Sequence, residues 1–334
     1  MNKINIIQNG AVFSLQGINP RKKNNSTKLF EVDRVRPILP PDVRAVLAKA
    51  FPIMKELVLQ GGSIMETYRQ NKINFDIKSD GSQVTAADKG IQEMFFNRLT
   101  KEFPFFRITA EEVLEGKYKL ISSLNLTSDF RFVIDPIDGT SHFIDPNKTR
   151  FGSTIALMFK NEVIGAVFYA PEFNIDGYYS NRWKGSLFEA SELSNEVLLN
   201  GKPVYIDSNK NNFTNSPIVL EDVVQDGLNL KDFRKLSGTG SDVLTLSLVA
   251  SGLNDAPVIM ANGGYNGSGG SHLWDMVTGT YFIEKAGGVA WNRNGENVFP
   301  LINEASVTTG PIYNGEYFAG HPNAIKKLLN LFNI

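Results

Sequence analysis

From Asp42 onward the apolar positions fall at helical spacing. Val43, Val46, Leu47, Ala50, Met54, Leu57 and Val58 share one face, and Asp42 stands where an N-cap belongs. Pro52 predicts a bend or interruption in this helix, while Gly61-Gly62 permits either a break or continuation through Ile64, Met65 and Tyr68. The polar turn Ser79-Asp80-Gly81-Ser82 precedes a second helix over about 85–103, with Ala86, Ile91, Met94, Phe95 and Leu99 on one side. Segments 105–109, 130–134, 151–159 and 162–170 read as strands, the last two joined by Lys160-Asn161 as a hairpin turn, and 178–187 adds another. Beyond Asn200-Gly201, strand-like 216–220 and 255–260 alternate with helical 241–250 and 275–286, which predicts an α/β half. Before Asp42 no period survives. Gly10, Gly17, Pro20, Pro37, Pro40 and Pro41 interrupt it, so residues 1–41 are expected to form an irregular extension.

Composition narrows the class. The 334 residues suffice for one large two-lobed enzyme or two ordinary domains, and 42% hydrophobic with 21% charged residues is the balance of a soluble globular protein. A net charge of −1 gives no reason to expect a nucleic-acid polymer or an anionic membrane as partner. The chain has no cysteine, which excludes disulfides, zinc–thiolate sites, iron–sulfur ligation and a cysteine nucleophile. No apolar run approaches the roughly 20 residues of a membrane span, and MNKINIIQNG lacks the apolar region of a signal peptide. A cytoplasmic location is therefore expected.

The chemistry concentrates at three acidic sites, each where an apolar strand ends or a helix begins. They are Ile108-Thr109-Ala110-Glu111-Glu112, Ile134-Asp135-Pro136-Ile137-Asp138-Gly139-Thr140, and Leu273-Trp274-Asp275. Carboxylates at strand ends gather at one edge of a sheet. Without histidine or cysteine among them they are hard oxygen ligands, suited to Mg²⁺ or Mn²⁺. Pro136 is expected to turn the chain so that Asp135 and Asp138 face one point, with the Ile137 carbonyl as a further ligand. Gly139 permits close backbone approach, and free amides at a helix starting near Thr140 form a phosphate cradle. Each motif by itself has a plainer reading: an ordinary turn, a solvated helix start at Glu111-Glu112, a core tryptophan with a capping aspartate. Their joint order carries the weight.

That order resembles the inositol monophosphatase superfamily of lithium-sensitive, metal-dependent phosphatases. Lys78-Ser79-Asp80-Gly81-Ser82 through Asp88 is similar to that superfamily's mobile loop and following helix, and Gly165-Ala166-Val167, Gly185, Asn200-Gly201-Lys202-Pro203 and Ala286-Gly287-Gly288 to its later landmarks. The likeness spans about residues 43–300. It implies a layered αβαβα sandwich of the inositol monophosphatase and fructose-1,6-bisphosphatase type, an α/β fold. Its parts are an extension over 1–41, an α+β lobe over 42–190 holding metal and phosphate, and an α/β lobe over 191–334 holding the leaving-group pocket and Asp275. It implies a homodimer acting on a small phosphorylated metabolite with two or three Mg²⁺ ions, Mn²⁺ being a possible substitute. Glu111, Asp135 and the Ile137 carbonyl resemble the first metal's ligands, and Asp135, Asp138 and Asp275 the second's. Thr140 is similar to the hydroxyl that helps activate water, Asp88 to the acid that holds it near a weaker third metal, and Gly139 and Thr140 to the phosphate-binding amides. Glu112 and Asp80 are read as structural, and Lys78 either neutralises phosphate or is a solvated loop lysine.

The leaving group is less determined. Gly238 to Val243 resembles the segment that lines its pocket, which nominates Ser241 and Asp242, and His272 is a further candidate or a structural histidine. Asp242 is more similar to histidinol-phosphate phosphatases, and no acid stands between Ala256 and Trp274 where an inositol-contacting Glu is expected. Substrate candidates are thus an inositol monophosphate, histidinol phosphate or a 3′(2′),5′-bisphosphate nucleotide. The reading from another class is a catalytically inactive metal-binding or regulatory homologue.

Overall fold

The computed structural model describes residues 4–8, 11–15, 36, 38–79, 81–112, 127–175, 177–178, 184–207, 209–210, 213, 216–221, 233–236, 240–252, 258–260, 271–301, 304–307, 310–315 and 317–331. Residues 1–40 and 41–334 are two separate units. The first is not irregular throughout, since β1 (Ile4–Gln8) and β2 (Ala11–Leu15) pair antiparallel. Asn9-Gly10 between two such runs is the sequence signal for a hairpin.

In the second unit, α1 (Pro41–Arg69) runs without a break through Pro52 and the glycine pair. A proline inside a helix costs about 3 kcal/mol. Burial of Val43, Leu47, Met54, Leu57, Val58 and Met65 on one continuous face, each side chain worth about 1.5–3 kcal/mol, outweighs that. Gly61 and Gly62 serve close approach rather than a break. A Cβ on Gly61 would lie 2.7 Å from Ser153 Oγ, and one on Gly62 would run into the Tyr169 ring. The short pair β3 (Phe75–Ile77) and β4 (Gln83–Thr85) leads into α2 (Ala86–Glu102).

Seven strands then build the main sheet in chain order: β5 (Arg107–Ala110), β6 (Phe130–Asp138), β7 (Gly152–Phe159), β8 (Glu162–Ala170), β9 (Ser186–Ser191), β10 (Val197–Leu199) and β11 (Lys202–Val204). The β5–β6 pair is parallel, its neighbours antiparallel. Lys160 and Asn161 adopt φ of 48° and 66°, as a two-residue hairpin between twisted strands requires. The strand expected over 178–187 begins at Ser186. A five-stranded sheet has the order β13-β12-β14-β19-β16, from β12 (Ser216–Glu221), β13 (Phe233–Leu236), β14 (Val258–Met260), β16 (Val289–Asn292) and β19 (Tyr317–Gly320). A small third sheet joins β15 (Ser271–His272), β18 (Gly310–Tyr313) and β17 (Glu304–Val307).

One expectation is corrected. Asp135-Pro136-Ile137-Asp138 is not a turn after the strand but the end of β6, with a register shift against β7 between the two aspartates. Pro136 lacks a ladder donor, and an irregularity is where a strand tolerates it. Ser153 Oγ on β7 donates to the Pro136 carbonyl at 2.5 Å. The reversal comes one residue later, at Gly139 with φ 88°, which opens α3 (Thr140–Ile144).

The remaining helices among the described residues are α4 (Asp242–Ala250), α5 (Leu273–Lys285) and α6 (Pro322–Leu331). Helix α1 packs on β7 and β8 and α2 on β6, whereas α5 packs on β6, β7 and β8 and also meets α4, β16 and β19. Helix α6 packs on β19. The layers are thus α, β, α, β, α. Helix α5 is buried from Trp274 through Met276 to Ile283 on every side, as a helix between two sheets must be.

Candidate metal and phosphate site

The end of β6 gathers acids from three other parts of the chain. Oxygens of Asp88, Glu111 and Glu112 lie within 4.8 Å of one another, and so do those of Asp135, Asp138 and Asp275. Asp88 comes from the first turn of α2, Glu111 and Glu112 from just past β5, Asp135 and Asp138 from β6, and Asp275 from the first turn of α5. Glu111 joins the two groups. Burial pushes the Asp135 carboxyl well above the usual carboxylate range, and the charges of Glu111, Asp138 and Asp275 push it further.

Asp138 is both a site carboxylate and the cap of a helix. Its Oδ1 accepts from the Asp242 amide at 3.1 Å, and its Oδ2 from the Val243 amide at 3.0 Å and from the Ser241 hydroxyl. Burial raises its pKa to about 7 even though these three hydrogen bonds favour the charged form. Ser241 in turn is the N-cap of α4, accepting from the Leu244 amide at 3.1 Å. The leaving-group candidates Ser241 and Asp242 are therefore fastened directly to a candidate metal ligand.

Asp88 completes a capping box with Thr85, its Oδ2 accepting from the Thr85 amide at 2.8 Å and the Thr85 hydroxyl at 2.5 Å. Its other oxygen faces the Thr140 hydroxyl at 3.1 Å, and that hydroxyl also lies 3.0 Å from the Ile137 carbonyl. Burial, then the charge of Glu111, raises Asp88 to about 6. Lys78 is not a solvated loop lysine. Its ammonium reaches Glu111 Oε1 at 2.8 Å and Glu112 Oε1 at 2.7 Å. Burial opposes its charge, but the two carboxylates prevail and raise its pKa. Glu112 is likewise no solvated helix start. It is 7% exposed, and Gln92 brackets its backbone with two 3.0 Å hydrogen bonds. His272 occupies the N-cap position of α5, its ring stacked on Trp274 at 4.5 Å and 7°. Asp80 and residues 261–270 lie outside the described residues.

These residues fit a divalent cation. Glu111 Oε2 and Asp135 Oδ1 are buried without a hydrogen-bond partner, a costly arrangement unless a cation compensates it. Both are hard oxygen donors, and neither cluster contains histidine.

The raised carboxyls set a pH dependence. Asp88, Glu112 and Asp138 take up protons in the fold at about 6, 7 and 7, above their values in an unfolded chain. Their protonated form therefore stabilises the metal-free fold most below about pH 4, and this contribution is lost as pH rises through 6 to 7. A cation must displace those protons. The rise in Tm produced by millimolar Mg²⁺ is expected to be negligible near about pH 5 and to reach a few degrees near about pH 8. Equal increments at both values in differential scanning calorimetry would contradict the carboxylate site.

An αβαβα sandwich with clustered carboxylates at a sheet edge defines a metal-binding class of α/β proteins. A sequence profile described as the inositol monophosphatase family matches residues 47–327, and the chain belongs to that family. Among similar proteins, Nus factor SuhB of Pasteurella multocida is 27% identical over 280 residues, covering 81% of this chain and 90% of that protein. Inositol monophosphatase 2 of Saccharomyces cerevisiae is 27% identical over 245 residues, covering 69% and 77%. The crystal structure of extragenic suppressor protein suhB from Bartonella henselae superposes with a TM-score of 0.64 at 21% identity, covering 85% of this chain and 98% of that one, a likeness of fold.

Proposed function

We propose that this protein is a Mg²⁺-dependent phosphatase that hydrolyses a small phosphate monoester of the inositol monophosphate type. The observation that carries the reading is the pair of unpartnered buried oxygens on Glu111 and Asp135, beside the Gly139–Thr140 turn. Glu111, Asp135 and the Ile137 carbonyl would hold one ion, Asp135, Asp138 and Asp275 a second, with Asp88 near a weaker third; Mn²⁺ is a possible substitute. Bound there, the ions supply positive charge for the phosphoryl oxygens and acidify water. The chain's own groups do the rest. The Thr140 hydroxyl orients the attacking water and passes its hydrogen toward Asp88, whose pKa of about 6 suits a proton acceptor near neutrality. The Gly139 and Thr140 amides receive phosphoryl oxygens. Asp242 faces the leaving group, where its carboxylate accepts hydrogen bonds from a polyol or pairs with an amine, while Ser241, buried with its hydroxyl on Asp138, holds that segment in place. The absence of any acid between Ala256 and Trp274 keeps histidinol phosphate and 3′(2′),5′-bisphosphate nucleotides as alternatives.

Relatives named Nus factor favour a second reading, a regulatory homologue without turnover. Phosphate release from inositol monophosphate, histidinol phosphate, 3′-phosphoadenosine 5′-phosphate and fructose 1,6-bisphosphate, with and without Mg²⁺, separates the two. Release from none of them rejects the phosphatase reading. Li⁺ is expected to inhibit the active substrate's hydrolysis well beyond Na⁺ at equal ionic strength, because a singly charged ion fills a metal position without its chemistry. Equal responses to both salts would remove lithium sensitivity. Among the described residues no helix is long and apolar enough to cross a membrane. We place the enzyme in the cytoplasm as a homodimer, an assignment that light scattering tests.

A further inference from the structure

Arg69, the last residue of α1, reaches the end of α3 and the loop that follows it, and its side chain is only 9% exposed. Its Nη1 donates to the carbonyls of Phe143 at 2.9 Å, Asp145 at 2.6 Å and, at 3.5 Å, His142. Its Nη2 donates to the carbonyls of Lys148 at 2.9 Å and Pro146 at 3.2 Å. Glu172 holds the guanidinium from the other side, through Nη2 at 2.9 Å and Nε at 3.3 Å. The planar group also lies over the Phe151 ring at 5.1 Å, and Phe151 meets Phe143 edge-on at 5.3 Å.

The five carbonyls are not scattered. Two close the end of α3, and three follow along the loop that returns to β7. Helix α3 has five residues and no side-chain cap at its start, too short to hold its own geometry. The amides of His142 and Phe143 donate back to the Gly139 carbonyl at 2.9 and 3.0 Å. Peptide groups fixed by Arg69 at one end thus fix Gly139 and Thr140 at the other. A lysine could not replace this fork, because its donors radiate from one nitrogen.

We propose that Arg69 is a positioning residue that sets the orientation of the Gly139–Thr140 turn toward the phosphoryl group. The proposal rests on the reading of that turn as the phosphate site. The test is calorimetric titration of inorganic phosphate into Mg²⁺-saturated wild type, Arg69→Lys and Arg69→Ala, with a separate Mg²⁺ titration and circular dichroism for each. Both variants are expected to bind phosphate at least about tenfold more weakly with unchanged Mg²⁺ affinity. Methylguanidinium at millimolar concentration should restore phosphate affinity in Arg69→Ala and not in Arg69→Lys, where a side chain fills the slot. Should Arg69→Ala fail to fold, Arg69→Lys carries the comparison. Unchanged phosphate affinity in Arg69→Lys, or parallel loss of phosphate and Mg²⁺ affinity with lowered Tm, overturns the assignment while leaving the phosphatase reading intact. Wild type that binds no phosphate with Mg²⁺ overturns both.

Discussion

Asp275→Asn is expected to lower turnover by about two to three decades, since one charge removed from the proposed metal clamp forfeits several kcal/mol of transition-state stabilisation. The protein should remain folded. Asp275 lies in the first turn of α5, where losing a negative charge costs about 0.3–1 kcal/mol. Against that, the substitution relieves the repulsion that raises Asp135. Asp138→Asn should lose turnover to the same degree but behave differently as a fold. The carboxylate receives donors on both oxygens, from Asp242 on one and from Ser241 and Val243 on the other. An amide has one acceptor oxygen and must turn its NH₂ toward a donor, whichever way it is flipped. Leaving such a buried group unsatisfied costs about 1–3 kcal/mol. A lowered Tm for Asp138→Asn beside a maintained one for Asp275→Asn, both at limiting Mg²⁺, is the expected pattern. Near-normal rates in both would remove these residues from the metal site.

Gly139→Ala is expected to reduce kcat/KM by at least about a hundredfold, the effect of shifting reacting groups by an ångström. Gly139 holds φ at 88°, and an added Cβ would stand 2.7 Å from the Gly240 carbonyl, 2.9 Å from that of Arg150 and 3.1 Å from Ser241 Cβ. The left-handed conformation costs an L-residue about 1–2 kcal/mol. Overpacking against backbone adds about 1–3 kcal/mol. The turn and the start of α4 must move apart to relieve the contact. Gly201→Ala is the control. Its φ is 79° but open space surrounds it, so it carries the conformational cost and should keep its kinetics. Equal kinetics for the two variants would show that the close packing around Gly139 has no part in the chemistry.

What could be read from the sequence was what is local in it. Asp135, Asp138, Gly139 and Thr140 are consecutive enough for their chemistry to show as a pattern, and Glu111 and Asp275 gain meaning from their order around it. Helix and strand positions followed from periodicity, including the Lys160-Asn161 turn. Contacts across long sequence distances stayed hidden. Glu112 is buried because Gln92, 20 positions earlier, brackets its backbone. Arg69 becomes a clamp only when the chain beyond α3 returns beneath it. Pro136 misled because a proline after a strand reads as a turn, whereas its place here is set by the register with β7. The N-terminal hairpin is a different kind of miss, since Asn9-Gly10 announced it openly.

The start of α4 has a consequence for anyone who would retarget this protein. Asp242, the residue one would edit to admit a new alcohol, supports Asp138 only through its backbone amide, whereas its neighbour Ser241 supports it through the side-chain hydroxyl. Specificity and cation loading therefore share a joint at Ser241, and a library that includes this position would be sorted as much by its appetite for magnesium as by its taste in substrates. Variation at Asp242, whose amide any residue but proline supplies, leaves that joint untouched.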